Sequence, residues 1–478
     1  MTALLVHSAD GADAITEQCG SNITSADEIL DVIVVGNGPS ALALGALLQH
    51  EWVVERGAPH VSSGALKRAA RSLAGADLGS VGGNVIDNLG GKLSARCVSP
   101  TSALVDALRF PVSDGGGQSL LDVRRRGPGS PTAAIIGRGP PGGSWHDMPG
   151  ETLTLSPAEW MALPGMAWTA KPTPSGRATR GASAAYFEAY ARDLLVPGTS
   201  VRGNVVSVDV RERVWHVHGT GPTLRARALV LAGGAYDVPR RLGIPGEDLA
   251  AVFHRAPAPR RARLLVVGAG LSATDAVLRW IDAGGTVVHV FRTAAVDTRL
   301  CKMFGGNYSP SYAGECSLAA LAAGEKQHPA YLPVSGAQLT AVHADRTVDL
   351  VDASSARRLE DHGVFDAVAI LIGGTPALDF LPASILERLP SEPLAPGTKL
   401  DGTPGTHPKF LHVDTVTGLV TDSNGEILHN DPPLYALGPL RGDNFVRFVV
   451  GDAAAVANDL RRRSAERKCS RGDLQDEC

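Results

Sequence analysis

The six cysteines of this sequence are few and widely spaced, and this limits the chemistry that the chain can carry out. They are spread over 478 residues, and no two of them form a Cys-x-x-Cys pair. Such pairs hold redox disulfides and structural zinc, so the sequence predicts neither a dithiol centre nor a metal site. We expect Cys301 and Cys316 to be separate, unpaired thiols, because a reducing compartment keeps most thiols reduced.

The sequence also lacks a strong excess of charge and any long apolar run. Its net charge of -4 gives no general electrostatic reason to expect nucleic acid or an anionic membrane as the partner. No window of about 20 uninterrupted apolar residues predicts a transmembrane helix. The first 29 residues have no basic leader typical of a secretory signal. We therefore expect an intracellular, cytoplasmic protein of several domains.

Two glycine-rich fingerprints are present, each between an aliphatic strand pattern and a helix pattern. The first reads Gly36-Asn-Gly-Pro-Ser-Ala41 and the second reads Gly268-Ala-Gly-Leu-Ser-Ala273, so both fit G-x-G-x-x-A. The first glycine makes a tight turn, the second lets the backbone approach a pyrophosphate, and the small third residue permits close packing of helix and strand. The pyrophosphate then lies at the positive end of the helix. The predicted contacts are Gly36, Gly38, Pro39, Ser40 and Ala41 for one dinucleotide, and Gly268, Gly270, Ser272 and Ala273 for another.

The order of the patterns predicts an α/β fold with two Rossmann-like dinucleotide-binding domains. Two similar apolar runs that end in Gly-Gly, Ala228 to Gly234 and Ala367 to Gly374, lie on either side of the second fingerprint. They are interpreted as the exit from the first domain and the return to it, so the second domain is inserted into a discontinuous first domain. The predicted bounds are a flexible arm at 1–29, first-domain parts at 30–255 and 356–460 with an insertion at about 57–131, the second domain at 256–355, and a charged, frayed tail at 461–478.

Five segments, in this order, resemble the flavin-containing monooxygenase class and within it the oxidative-stress-induced growth inhibitor family. The segments are Val35-Gly-Asn-Gly-Pro-Ser40, Gly137-Arg-Gly-Pro-Pro-Gly-Gly-Ser-Trp-His146, Trp160-Met-Ala-Leu-Pro-Gly165, Val252-Phe-His254 and Ala436-Leu-Gly-Pro-Leu-Arg-Gly-Asp-Asn-Phe-Val-Arg-Phe448. The resemblance implies FAD at the first fingerprint and NADPH at the second. It also implies a monooxygenase that passes electrons from NADPH through FAD to molecular oxygen and acts on a small substrate that the sequence does not identify.

The same resemblance assigns cofactor contacts outside the fingerprints. Gly142, Gly143 and Trp145 correspond to a segment beside the flavin, where glycines let backbone donors approach and an indole packs against the pocket. Asp443, after Gly442, corresponds to a position that places a backbone donor, and often a carboxylate, against the cofactor. None of these residues is required to act as a nucleophile or a general base.

Arg292 supplies a separate argument for NADPH. It ends the strand pattern that follows the second fingerprint, 24 residues beyond Gly268, where an NAD-binding unit usually has an acidic residue. An arginine at this place can pair with a 2′-phosphate instead. The alternative is a solvated arginine at a strand end.

The ribose contact of the first dinucleotide has two possible sources. Glu55 lies 19 residues after Gly36, close to the spacing expected for a ribose carboxylate. The Gly-Gly-x-Trp turn, however, follows a later strand that ends at Gly137. We favour the later strand as the true neighbour, in which case the usual carboxylate is missing and the contact comes from backbone or from another residue.

Two departures from the monooxygenase pattern weaken the enzymatic prediction. His254 keeps only the end of a longer fingerprint, and a single histidine is more often a packing residue than a catalyst. Leu155 falls where these enzymes commonly have an asparagine that steadies the oxygenated flavin, and leucine donates no hydrogen bond. An NADPH oxidase or reductase that produces peroxide, and a regulatory flavoprotein that acts through protein partners, therefore stay as alternatives.

Overall fold

The computed structural model describes residues 28–55, 64–81, 99–111, 118–127, 130–292, 321–325, 327–360, 362–389, 411–429 and 431–471. The expectations for Cys301 and Cys316, and for all but the end of the N-terminal arm, lie outside these ranges. The described residues include two parallel five-stranded sheets, each with a glycine-rich turn at the carboxyl end of its central strand.

The strands of the described residues are, in chain order, β1 (Ile29–Leu30), β2 (Val32–Val35), β3 (His50–Val54), β4 (Leu121–Arg125), β5 (Ala133–Gly137), β6 (Leu153–Pro157), β7 (Arg177–Thr179), β8 (Ser200–Arg202), β9 (Val205–Arg211), β10 (Val214–Gly219), β11 (Leu224–Ala226), β12 (Leu229–Leu231), β13 (Val238–Pro239), β14 (Val252–Phe253), β15 (Arg263–Val267), β16 (Thr286–Phe291), β17 (Tyr331–Ser335), β18 (Ala337–Val342), β19 (Val348–Asp352), β20 (Ala367–Ile370), β21 (Gly374–Thr375), β22 (His412–Val413), β23 (Val420–Thr421) and β24 (Leu434–Ala436). The α-helices are α1 (Pro39–Gln49), α2 (Gly64–Ser72), α3 (Pro100–Arg109), α4 (Arg180–Leu194), α5 (Leu271–Asp282), α6 (Ala383–Leu386) and α7 (Val446–Arg471). Short 3-10 helices occur at Leu78–Ser80, Gly143–His146, Ala158–Met161 and Gly438–Arg441.

The first sheet has the strand order β24, β12, β2, β5, β8, and every neighbouring pair is parallel. Its central strand, β2, leads into the first fingerprint and then into α1. Successive residues of β2 point to opposite faces, so Val32 and Val34 join a core with α1 and α7, while Ile33 joins a second core with Trp215. Because both faces are covered, the strand is apolar throughout rather than alternating.

The second sheet is built in the same way, in the order β14, β20, β15, β16, β17 with parallel pairing. Its central strand, β15, leads into the second fingerprint and α5. Leu264 and Val266 pack with α5, while Leu265 and Val267 pack against the antiparallel pair β18 and β19. The two fingerprints therefore occupy equivalent places in two similar sheets.

The prediction that the chain returns to the first domain through Ala367 to Gly374 is wrong. These residues supply β20, which pairs with β15 from Leu264↔Ala367 to Val267↔Ile370 inside the second sheet. β14, placed before the predicted start of the second domain at residue 256, pairs with β20 in that sheet as well. The strand that returns to the first sheet is β24. A buried strand that ends in Gly-Gly looks alike in either sheet, so composition alone did not assign it.

The predicted frayed tail is wrong up to residue 471, because α7 continues through it from Val446 to Arg471. The side chain of Arg461 is only 13% exposed and pairs with Asp77 at 3.0 Å, and it also donates to the Leu47 carbonyl. The charge of this segment therefore belongs partly to buried ion pairs rather than to a solvated end. At the other end of the chain, Ile29, placed in the flexible arm, lies in β1 and pairs with β11.

The insertion predicted at 57–131 contains α2 and α3, and α3 confirms the helix predicted near Ser102 to Leu108. Helix α3 packs closely on α7. At their contact, a Cβ on Gly451 would overlap the backbone of Ser102, so glycine is required for this approach.

We predict that Gly451→Ala destabilises the protein by about 2 kcal/mol, because relieving the overlap must shift α3 or α7. The matched control is Gly181→Ala in α4, where an added Cβ would meet nothing within 4 Å. This control should stabilise slightly through helix propensity. Thermal unfolding of the two variants and the wild type measures the difference. Equal or raised midpoints for both variants would show that the helices do not meet this closely.

Candidate dinucleotide-binding sites

The first fingerprint turn gives its two glycines different tasks. Gly36 has φ of +110°, and a Cβ on it would overlap the Ala232 carbonyl at the end of β12. Gly38 caps α1, and a Cβ there would meet nothing within 4 Å. The fold itself therefore requires Gly36, whereas Gly38 borders open space at the positive end of a helix, where an anion is favoured.

Asn37, between these glycines, joins the turn to the Gly-Pro-Pro-Gly-Gly segment after β5. Its side-chain amide donates to the backbone carbonyls of Gly139 at 2.7 Å and Pro140 at 3.0 Å. The backbone carbonyl of Asn37 accepts from the Gly142 N–H at 2.8 Å. A Cβ on Gly143 would lie 3.1 Å from the Gly38 Cα. The structure thus brings Gly142 and Gly143 to the fingerprint turn, while their contact with a flavin stays a prediction.

Trp145 is half-buried beside this turn, and its ring lies 6.1 Å from that of Phe187 on α4. It packs against the same core as α1. Pro39 begins α1, while Ser40 and Ala41 are buried in its first turn. The predicted residues of the first site therefore converge on one end of the first sheet.

A buried polar cluster fixes the C-terminal side of this site. A Cβ on Gly438 would overlap the Ser40 hydroxyl, so the segment after β24 lies against the first turn of α1. The Gly438 N–H donates to the Asp452 carboxylate at 3.1 Å, and the Ser102 hydroxyl donates to the same carboxylate at 3.2 Å. Arg441 pairs with Asp452 at 3.1 Å, and both side chains are fully buried.

Asp443 belongs to this cluster, since the Ser102 hydroxyl also lies 3.5 Å from its carboxylate. Burial raises the pKa of the Asp452 carboxyl, and Arg441 opposes that shift. Sequence reasoning found Asp443 but missed Asp452, Arg441 and Ser102. Ser102 lies far in sequence from Arg441 and Asp452, so no spacing pattern connects it with them.

The second fingerprint turn repeats the geometry of the first. Gly268 has φ of +125°, and a Cβ on it would overlap the Leu371 carbonyl at the end of β20. Gly270 caps α5, and a Cβ there would meet nothing within 4 Å. Ala273 is buried and Ser272 is exposed at the start of the helix. Again one glycine is required by the neighbouring strand and the other borders open space.

His289 supports this second turn and was not predicted. It is fully buried in β16, with Nε2 2.6 Å from the Gly268 carbonyl and Nδ1 2.9 Å from the Tyr331 hydroxyl. A carbonyl only accepts, so Nε2 carries the proton, and Nδ1 accepts from Tyr331. Burial lowers the pKa of His289 to about 4, which keeps the ring neutral. The available sequence signal was a histidine among the apolar residues from Val287 to Phe291.

Arg292 directly follows β16 and is exposed, at the carboxyl end of the strand next to β15. Its position is the predicted one, and its pairing with a 2′-phosphate stays a prediction.

For the first site, β5 is a parallel neighbour of β2, whereas Glu55 follows β3, which pairs with β4 in a separate antiparallel sheet. The strand order therefore favours the end of β5, at Gly137, over Glu55.

His254 directly follows β14, the edge strand of the second sheet. Its Nε2 is 3.8 Å from the Glu247 carboxylate, which accepts the N–H groups of Leu242 at 2.8 Å and Gly243 at 2.7 Å. Glu247 therefore fixes this loop, and these contacts do not give His254 a catalytic partner.

Leu155 is half-buried in β6.

Comparison with known proteins agrees with this geometry. Oxidative stress-induced growth inhibitor 1 from Mus musculus is 32% identical over 93% of this chain and 97% of its own length. Oxidative stress-induced growth inhibitor 2 from Homo sapiens is 27% identical over 91% of this chain and 94% of its own length.

This chain belongs to the oxidative stress-induced growth inhibitor family. A family model described as pyridine nucleotide-disulphide oxidoreductase matches residues 127–303 of this family member. The match includes β5 and the second fingerprint, and it supports an oxidoreductase.

Solved structures show where else this fold occurs. A bacillithiol disulfide reductase from Staphylococcus aureus superposes with a TM-score of 0.56 at 15% identity, covering 91% of this chain and 99% of its own. A flavin-containing monooxygenase from Stenotrophomonas maltophilia superposes with a TM-score of 0.50 at 16% identity, covering 91% and 99%. At these identities the likeness establishes the α/β fold of flavin-dependent oxidoreductases and nothing finer.

Among the residues that the structure describes, no helix has the length and apolar character needed to cross a bilayer.

His289 should make the stability of the protein depend on pH. Its ordinary pKa of 6.5 is lowered to about 4 in the folded chain, so between these values only the unfolded chain binds the proton. Stability contributed by the neutral ring is therefore complete above about pH 6.5 and is lost as the pH falls towards 4. We predict that His289→Gln is less stable than the wild type at pH 7, and that the gap narrows by about 2 kcal/mol at pH 5.

Denaturant unfolding of both proteins at a series of pH values measures this gap. Tyr331→Phe is the matched control, because it removes the hydroxyl that His289 accepts from but leaves the imidazole in place, and should retain the pH dependence. Parallel curves for wild type and His289→Gln would contradict the buried, neutral assignment.

Proposed function

We propose that this protein is an FAD-dependent, NADPH-using oxidoreductase with monooxygenase-type chemistry. FAD binds at the first sheet and NADPH binds at the second, which is inserted between β12 and β24 of the first. The observation that carries the proposal is the repeated turn. Gly38 and Gly270 each cap a helix at the carboxyl end of a central parallel strand, and each borders space that a side chain would enter freely.

The residues around the first turn fit a flavin dinucleotide. Gly38, Ser40 and the N-terminus of α1 would hold the pyrophosphate, and the backbone around Gly142 and Gly143, locked to Asn37, would border the rest of the cofactor. Asp443 approaches from the C-terminal segment, which the Asp452 cluster fixes. Trp145 and Phe187 supply an apolar wall that excludes water.

The residues around the second turn fit a nicotinamide dinucleotide. Gly270 and the exposed first turn of α5 would receive the pyrophosphate, while His289 holds the Gly268 carbonyl in place. Arg292, exposed at the end of the neighbouring strand, would pair with a 2′-phosphate and so favour NADPH over NADH.

When bound, FAD supplies the redox chemistry by taking electrons from NADPH and giving them to an acceptor. The chain contributes binding, orientation and exclusion of water, and none of the residues brought together here needs to act as a nucleophile. For the monooxygenase reading the acceptor is molecular oxygen and the co-substrate is a small molecule. If the protein also binds protein partners, it would act through them as a regulatory flavoprotein.

The first test is the visible spectrum of the purified protein without oxygen, before and after NADPH is added. We expect a flavin spectrum that bleaches on addition of NADPH. Protein that carries flavin but keeps it oxidised would contradict the enzymatic proposal and favour a regulatory flavoprotein. Protein purified without flavin that also fails to take up added FAD would overturn the assignment of the first site.

Variants at the two open glycines separate the sites. Gly270→Val should reduce the rate of flavin reduction by NADPH at least tenfold while the bound flavin is kept, because the added side chain enters the space reserved for the pyrophosphate. Gly38→Val should lose the flavin itself. The matched control is Gly150→Val, also at a glycine with open space around it but on an exposed turn, which should behave as wild type. Normal reduction of Gly270→Val would show that NADPH does not bind at the second turn.

A second candidate, an NADPH oxidase that releases peroxide, is favoured by Leu155. This apolar side chain lies on β6 where the resemblance places a hydrogen-bonding asparagine, and it offers no donor. The two activities differ in how much peroxide is formed for each NADPH consumed. If about one peroxide is formed for each NADPH consumed, and no added substrate lowers this ratio, the result would favour the oxidase over the monooxygenase.

A further inference from the structure

The first site has no ribose carboxylate at the place where this fold usually provides one. In dinucleotide-binding sheets an acidic residue about 20 residues beyond the fingerprint accepts hydrogen bonds from the ribose hydroxyls. Of the two strands next to β2, the sequence favours β5 for this residue, and β5 ends at Gly137. A Cβ on Gly137 would overlap the Asn37 amide, which is itself fixed by the Gly139 and Pro140 carbonyls. No side chain fits at the strand end, and the next residue is the cation Arg138.

A carboxylate nevertheless reaches this place from the other side of β2. Arg138 forms an ion pair with Asp237, which belongs to the segment after β12. Strands β5 and β12 are the two neighbours of β2, so this ion pair spans the end of the sheet where the fingerprint turn lies. Asp237 is the more buried partner, with its side chain 20% exposed against 62% for Arg138.

The backbone of Asp237 is held in position. Its carbonyl accepts from the Arg255 guanidinium at 2.8 Å, and the two residues that follow it form β13, which pairs with β21. Between β12 and Asp237, added Cβ atoms on Gly233 and Gly234 would meet nothing within 4 Å. The segment therefore presents a fixed carboxylate at the end of a stretch of backbone that borders open space.

We infer that Asp237, oriented by Arg138, binds the 2′- and 3′-hydroxyls of the adenosine ribose at the first fingerprint. The inference rests on the proposed function, since it needs a dinucleotide at that site. An ionised carboxylate only accepts hydrogen bonds and a ribose diol offers two donors, so the groups are complementary. Arg138 follows β5 as Arg292 follows β16 in the second site, but the charge of Arg138 is engaged by Asp237. A 2′-phosphate would bring a second anion against that carboxylate, so we expect the first site to favour FAD over NADPH.

The test uses the full chain after its flavin has been removed. Binding of FAD is followed by flavin fluorescence, and ADP and 2′-deoxy-ADP are titrated as competitors of FAD, which restricts the readout to the first site. For the wild type we expect 2′-deoxy-ADP to bind about tenfold more weakly than ADP, the size of one charge-assisted hydrogen bond. In Asp237→Ala the affinity for ADP should fall about tenfold, and the ratio between the two competitors should approach one.

The control variant is Asp248→Ala, which removes another aspartate that pairs with an arginine, Arg241, in the same connection but is far more exposed. It should keep the wild-type ratio. Asp237→Asn preserves the shape of the side chain and replaces the alanine variant if that variant does not fold. The ratio between its affinities for ADP and 2′-deoxy-ADP should also fall. A wild-type ratio in a folded Asp237 variant overturns the inference and leaves the proposed function intact. A wild type that binds no FAD overturns both.

Discussion

The close approach of two glycine turns to the neighbouring strands is the constraint on which the rest of the structure depends. Gly36 lies against the Ala232 carbonyl and Gly268 lies against the Leu371 carbonyl, each at a positive φ that any other residue would adopt only under strain. This approach aligns the start of α1 and of α5 over the carboxyl ends of β2 and β15. The space beside Gly38 and Gly270 exists because the first glycine of each pair brings the helix so near the sheet.

Buried polar side chains then stabilise the segments that border this space. His289 holds the Gly268 carbonyl from within the sheet, and Asp452 holds the Gly438 N–H from α7. Each replaces water around a backbone group that the turn would otherwise leave buried without a partner, which would be costly. Because His289 comes from the neighbouring strand β16 and Asp452 from α7, which packs on α1 and α3, each turn depends on the packing of its domain.

The connection between the two sheets also contains a short antiparallel strand pair. The segment after β12 pairs with the segment after β20 through β13 and β21, and Asp237 lies directly before that pairing. The ends of the two sheets that carry the fingerprints are therefore joined by backbone hydrogen bonds. The same segment that leads the chain out of the first sheet also carries Asp237, which pairs with Arg138 after β5.

The sequence by itself determined the two turns and the strands and helices next to them, because these features depend on local rules of φ, size and periodicity. Gly142, Gly143, Trp145 and Asp443 came only from the resemblance to a known family. The sequence also favoured β5 as the neighbour of β2, which the strand order agrees with. Tertiary structure alone decided which sheet receives Ala367 to Ile370, since two buried strands with the same pattern differ only in their partners. It also decided that charged residues near Arg461 continue a helix, that Asp452 and His289 support the two turns, and that Asp237 pairs with Arg138. The contacts of Asp452 with Ser102 and of Asp237 with Arg138 join segments far apart in the chain, and no local pattern carries information about the packing that brings them together.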